Sequence, residues 1–139
     1  MVTVPYRSGG QAQFVLPTAS ADAADTGRRL DATRTWMLHR LGDPLTLNRL
    51  AKHAGMSVRT FARHFRGETG ASPLQWLVRQ RIVAAQQLLE KSDRSVERIA
   101  ESCGFGSAVS MRVHFRRELK TSPVAYRRAF RQTSLTAQL

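Results

Sequence analysis

The amino-acid sequence predicts an all-α fold of seven helices, and three observations carry that prediction. Apolar residues recur at three- and four-residue spacing through most of the chain, and beyond residue 27 no segment alternates as a half-buried strand does. Ser/Thr caps, Ser-Pro openings and glycine stops punctuate the pattern at regular intervals. A stretch of it then occurs twice, about fifty residues apart.

The first helix is expected from roughly Asp25 to Leu41, marked by Leu30, Met37, Leu38 and Leu41 and stopped by Gly42 and Pro44. Thr46 caps a short second helix to His53, and Leu45 and Leu50 have the spacing of a hydrophobic staple. Gly55 ends it, and Ser57 caps the third, Val58 to about Glu68. Ser72-Pro73 opens a long fourth helix to about Lys91, with proline in the first helical position. Ser95 caps a fifth to Ser102, stopped by Gly104; Ser107 opens a sixth to about Leu119; Ser122-Pro123 opens the last, ending near Arg131.

Residues 1–18 differ in character. They hold Pro5, Pro17 and Gly9-Gly10, and Val2-Thr3-Val4 and Gln13-Phe14-Val15-Leu16 have strand character without a partner sheet. We read them as the residual tail of a larger domain, followed by a small, polar linker at 19–27. The main domain is expected over 28–132 and a flexible tail over 133–139.

At 139 residues and 42% hydrophobic, the chain has the size of one ordinary domain and material for a real core. Twenty-two Lys+Arg against ten Asp+Glu give a net charge of +12. All of the basic residues but Lys52, Lys91 and Lys120 are arginine, whose planar fork matches phosphate and guanine edges. From Asp43 to Arg131, seventeen basic residues face seven acidic ones, interleaved with Leu, Ile, Val, Phe and Trp at helical spacing. A basic tail without a fold would lack that apolar periodicity. The charge points to a polyanion, nucleic acid before acidic membrane. No apolar run approaches the ~20 residues of a bilayer span. The single cysteine, Cys103, suits a reducing compartment, and a cytoplasmic location is expected.

The repeat is the most informative feature. Leu47-Asn48-Arg49-Leu50-Ala51 through Gly55 aligns with Val96-Glu97-Arg98-Ile99-Ala100 through Gly104 at a shift of 49. After one inserted residue the shift becomes 50: His64-Phe65-Arg66 matches His114-Phe115-Arg116, Glu68 matches Glu118, Ser72-Pro73 matches Ser122-Pro123, and Trp76 matches Tyr126. Each copy is a short helix, a glycine turn and a second helix, the pattern of a helix-turn-helix, at about 46–68 and 95–119, with 73–91 joining them. In the first copy Leu47, Leu50, Ala51 and Ala54 should meet Phe61 and Phe65, so that the opposite face carries Arg59 and Arg63, with Arg66 beside them. In the second, Met111 and Phe115 point inward and Val109 and Val113 outward, flanked by Arg112 and Arg116.

From Asp43 to Phe130 the chain resembles the DNA-binding domain of the AraC/XylS family of bacterial transcription regulators. The most specific stretch is Ile99-Ala100-x-x-Cys103-Gly104-Phe105, through Phe115-Arg116-Arg117, to Ser122-Pro123-x-x-Tyr126-Arg127. The resemblance implies two homeodomain-like helix-turn-helix units held by a long helix, sequence-specific binding of double-stranded DNA in successive major grooves, and contact with RNA polymerase in some members. Val4-Pro5-Tyr6-Arg7-Ser8-Gly9-Gly10-Gln11-Ala12-Gln13-Phe14 further resembles the junction in members carrying a PfpI-like, amidotransferase-like sensor domain. On that resemblance the sequence is a C-terminal piece, monomeric by itself, with dimerisation and any effector pocket residing upstream.

The expected base-contacting residues are Arg59, Ala62 and Arg63 in the first unit and Ala108, Val109, Ser110, Arg112 and Val113 in the second. Phosphate contacts are expected from Thr46, Ser57, Thr60, Arg66, Ser95, Ser107 and Arg116. Arg59 and Arg63 each match a guanine O6/N7 edge, whereas Val109 and Val113 offer only methyl contact, best with thymine. A G-rich half-site and a weaker, T-containing one follow. His64 and His114 occupy equivalent positions but lack other ligands at metal spacing, so no metal or other cofactor is expected. Cys103 reads as a buried small residue, and no nucleophile motif surrounds any Ser, His or Asp, so no enzyme activity is expected. A helical module binding RNA or DNA without sequence preference, and a polymerase adaptor, are the alternatives.

Overall fold

The computed structural model describes the backbone of residues 10–138 and the side-chain surroundings of residues 21–137. All regular structure among them is helical: α1 (Gly10–Leu38), α2 (Leu47–Ala54), α3 (Val58–Thr69), α4 (Pro73–Lys91), α5 (Val96–Ser102), α6 (Ala108–Leu119) and α7 (Pro123–Gln138). The starts of α2 to α6 fall one residue after the Ser or Thr that caps each. Thr46, Ser57, Ser95 and Ser107 accept from the backbone N–H three residues on, and Ser72 with Gln75 closes a capping box. Gly55 and Gly70 end α2 and α3 in the left-handed region, at φ 69° and 78°.

Two apolar cores lie side by side, one per repeat. Leu30 and Met37 of α1, Leu50, Ala51 and Ala54 of α2, Phe61 and Phe65 of α3 and Leu77 of α4 form the first. Ile82, Ala85 and Leu89 of α4, Val96, Ile99 and Ala100 of α5 and Met111 and Phe115 of α6 form the second, with Phe105 between. The long helix therefore serves both, its first half closing one core and its second half founding the other. The duplication extends to ring geometry: Trp76 meets Phe65 edge-on at 5.7 Å, and Tyr126 meets Phe115 edge-on at 6.4 Å.

The ends depart from expectation. Gln13–Leu16 and the 19–27 linker lie within α1, not in a strand and a coil. Ala19, Ala21, Ala23 and Ala24 supply high helix propensity there, and the described residues hold no sheet for the strand to join. The Val2–Val4 strand lies outside the described residues. Helix α1 stops at Leu38, and tighter turns (Arg40 N–H to Met37 O and Asp43 N–H to Arg40 O, both 3.0 Å) carry the chain to Gly42 and Asp43. Helix α7 runs past Arg131 to Gln138, so the tail at 133–138 is helical. Thr133 and Thr136 spend their hydroxyls on carbonyls four residues back.

An arginine grips the loop after the preceding long helix in each repeat. Arg81 of α4 donates from Nε to Leu41 O (2.9 Å) and from Nη2 to Asp43 O (2.8 Å). Fifty residues on, Arg131 of α7 donates to Ser92 O (3.2 Å) and Asp93 Oδ1 (2.6 Å), aided by Arg127 on Leu89 O and Ser92 O.

Candidate nucleic-acid interface

The outward faces are built by what each second helix buries. Helix α3 sinks Phe61 and Phe65 fully into the first core, which turns Arg59, Arg63 and Arg66 to solvent and leaves Thr60 and Ala62 half-buried on the flanks. None of these three arginines forms an ion pair among the described residues. Helix α6 sinks Met111 and Phe115 in the same way. Val109 is then 67% and Val113 50% exposed, an apolar pair one turn apart facing water. Ala108 and Ser110 are half-buried beside them.

The two arginines predicted around that pair are partly engaged. Arg112 lies 3.8 Å from Glu97 of α5, both well exposed, so the pair is weak and leaves Arg112 available to a stronger anion. Arg116 donates to Lys120 O (3.3 Å) and so caps its own helix. The first unit thus presents unencumbered guanidinium groups where the second presents methyl groups.

The capping hydroxyls of Thr46, Ser57 and Ser107 are exposed, as is that of Ser95. Each accepts from its helix at 3.1–3.2 Å, which leaves its O–H proton to donate outward. An exposed hydroxyl at a helix N-terminus has the donor chemistry that a phosphate oxygen accepts from.

Arg49 was missed by the sequence reading. It donates to Pro44 O (3.0 Å) and stands 5.6 Å from the Trp36 ring centroid, while Trp36 stacks on His53 at 4.3 Å. His53 Nδ1 is paired in turn with Thr33 Oγ1 at 2.8 Å, a side chain wholly buried. A cation is thereby held beside the Thr46 cap, with about 0.5–1 kcal/mol from an exposed cation–π contact. The signal was present in the repeat, where Arg49 pairs with Arg98, but α1 supplies the Trp and lies outside the repeat.

Two groups lie behind the interface. Cys103 is 3% exposed and burial pushes its thiol up, away from the reactive thiolate. Burial, with Arg117 nearby, pushes His114 below its ordinary value, and its Nδ1 is buried without a partner among the described residues. No described helix is long and apolar enough to cross a membrane.

Comparison with known proteins places this arrangement. Residues 50–129 match the family described as "Helix-turn-helix domain". The chain is 39% identical to the HTH-type transcriptional regulator Rv1931c of Mycobacterium tuberculosis, over 82% of this chain and 47% of that protein. It is 34% identical to the HTH-type transcriptional activator RhaS of Salmonella arizonae, over 73% of this chain and 36% of that one. The chain thus spans half or less of these curated relatives. Among solved structures, the DNA-binding domain of AdpA, crystallised with a target DNA, superposes with a TM-score of 0.73 at 50% identity, covering 75% of this chain and 94% of that one. A DNA-binding transcriptional dual regulator from Escherichia coli K-12 gives 0.67 at 27% identity, covering 75% and 93%.

Proposed function

Because the chain belongs to the AraC-type helix-turn-helix family of transcription regulators, we propose that it binds double-stranded DNA sequence-specifically through both units and regulates bacterial transcription. One observation supports this reading above the others. The second helix of each repeat buries one aromatic or methionine pair in its own core and turns the equivalent opposite face to solvent. A nineteen-residue α4 rises about 28 Å, near the ~34 Å between successive major-groove faces on one side of B-DNA. One chain then does with a direct repeat what a helix-turn-helix dimer does with a palindrome.

Arg59 and Arg63, with Ala62 between them, approach the first groove segment, and Thr60 beside them meets a phosphate. Ala108, Val109, Ser110, Arg112 and Val113 approach the second, and Arg49, Arg66, Arg116 and the capping hydroxyls hold phosphates. The role is one of binding and not of catalysis. The chain acts as a monomer here, with polymerase contact as a further partner.

Footprinting on a duplex selected from random sequence tests the proposal. Two protected segments one helical turn apart are expected from a 1:1 complex. Equal protection of random DNA would replace the reading with non-specific binding, and preference for RNA would overturn it.

A further inference from the structure

The two units touch through more than the helix they share. The loop after α1 (Leu41-Gly42-Asp43) belongs to the first unit, and the turn after α5 (Ser102-Cys103-Gly104) to the second, yet they are packed together over Arg81. A Cβ on Gly42 would come within 2.8 Å of Ser102 O, a backbone atom that cannot rotate away. A Cβ on Gly104 would overlap Leu41 O and approach Arg81 Nε to 2.6 Å, and Gly104 also needs its left-handed φ of 90°. Arg81, half-buried, fixes the loop through Leu41 O and Asp43 O.

The repeat supplies a comparison inside the same molecule. The equivalent loop is held by half-buried Arg127 at Leu89 O and Ser92 O and by exposed Arg131 at Ser92 O and Asp93. Gripping a loop is thus the duplicated task; seating the neighbouring unit's turn on that grip is particular to Arg81. A helix of nineteen residues alone bends gently, and the groove separation it must match is fixed by the duplex. A second point of attachment removes that freedom.

We propose that the Gly42–Arg81–Gly104 junction locks the mutual orientation of the two recognition helices, making Arg81 a positioning residue for two-site DNA reading. This rests on the binding function proposed above. Arg81 touches no DNA in this scheme; it acts by keeping the second unit in register once the first has docked.

The test uses the whole chain, as wild type, Arg81→Ala, Arg81→Lys and Gly42→Ala, on selected duplexes with both half-sites, with one base pair inserted between them, and with each half-site alone. Joining two well-matched modules raises affinity on the order of 10²–10⁴-fold. Wild type is expected to lose about tenfold or more of that gain on the insertion. Arg81→Ala and Gly42→Ala should lose a similar factor on the native spacing, bind single half-sites within about twofold of wild type, and discriminate little between the two spacings. Arg81→Lys, with one point donor in place of the fork, should fall between.

Gly42→Ala opens the junction without altering the arginine, so it stands if Arg81→Ala fails to fold. Retained spacing discrimination in Gly42→Ala, or in a folded Arg81→Ala, overturns the proposal, as does an equal loss on every duplex. Absence of any two-site gain in wild type instead overturns the two-unit reading beneath it.

Discussion

Replacing Arg66 and Arg63 separately should produce two different defects, although both are exposed arginines on one helix, one turn apart. Arg66 sits in the last turn of α3, and removing one phosphate contact lowers the slope of log affinity against log salt by about 0.9. Between 50 and 200 mM salt, that slope difference makes the deficit of Arg66→Ala shrink by roughly 3.5-fold, equally on every sequence. Arg63 lies centrally opposite Phe61 and Phe65, where a fork can meet a guanine edge, worth about 1–3 kcal/mol of discrimination, or roughly 5–150-fold. Neither arginine has an ion-pair partner to give up among the described residues, so no internal rearrangement masks either loss. Fluorescence anisotropy with a selected duplex and its single-guanine variants, titrated at several salt concentrations, measures both quantities. Arg63→Ala should collapse the guanine preference; Arg66→Ala should preserve it and flatten the salt slope. Uniform loss in both variants, or an unchanged slope in Arg66→Ala, would refute this division of labour.

Other outcomes follow from the same geometry. Phe115→Ala removes a fully buried ring that also meets Tyr126, and should cost about 3–5 kcal/mol, lowering the thermal midpoint by roughly 10 °C or more in calorimetry. Val113→Ala deletes exposed methyl groups, so it should leave the midpoint nearly unchanged and weaken only the thymine preference of the second half-site, as read by binding to single-base variants. His114 is held below its ordinary 6.5, so the unfolded chain takes up a proton that the folded chain resists; stability should fall as pH drops below about 6.5. Thermal unfolding at pH 7.5 and 5.5 should show that fall, diminished in His114→Gln; an equal fall in the variant assigns it elsewhere.

The starts of α2 to α6 were legible because each is written in local chemistry: a hydroxyl cap, a Ser-Pro step or a glycine stop decides them within a few residues. The inward aromatics and outward Arg59, Arg63, Val109 and Val113 were legible because a 100° rotation per residue links them on one helix. The ends were harder. Helix α1 begins fifteen residues before the expected Asp25, where Pro17 and Gly10 argue for coil and alanines argue for helix. Helix α7 outran Arg131 because no proline or glycine follows to stop it. Arg81, Arg49 and Trp36 escaped notice for a different reason. Their partners are backbone carbonyls and rings 38–40, 5 and 13–17 residues away, and no periodicity records which loop an arginine reaches.

Selection of bound duplexes from a random pool, followed by scoring of each position's information content, bears most directly on two unequal readers in one chain. The expected motif is asymmetric and undivided by dyad symmetry, with a G-rich half carrying most of the information and a T-containing half one helical turn away. A palindrome bound by two chains, a single short half-site, or equal information in both halves would contradict it.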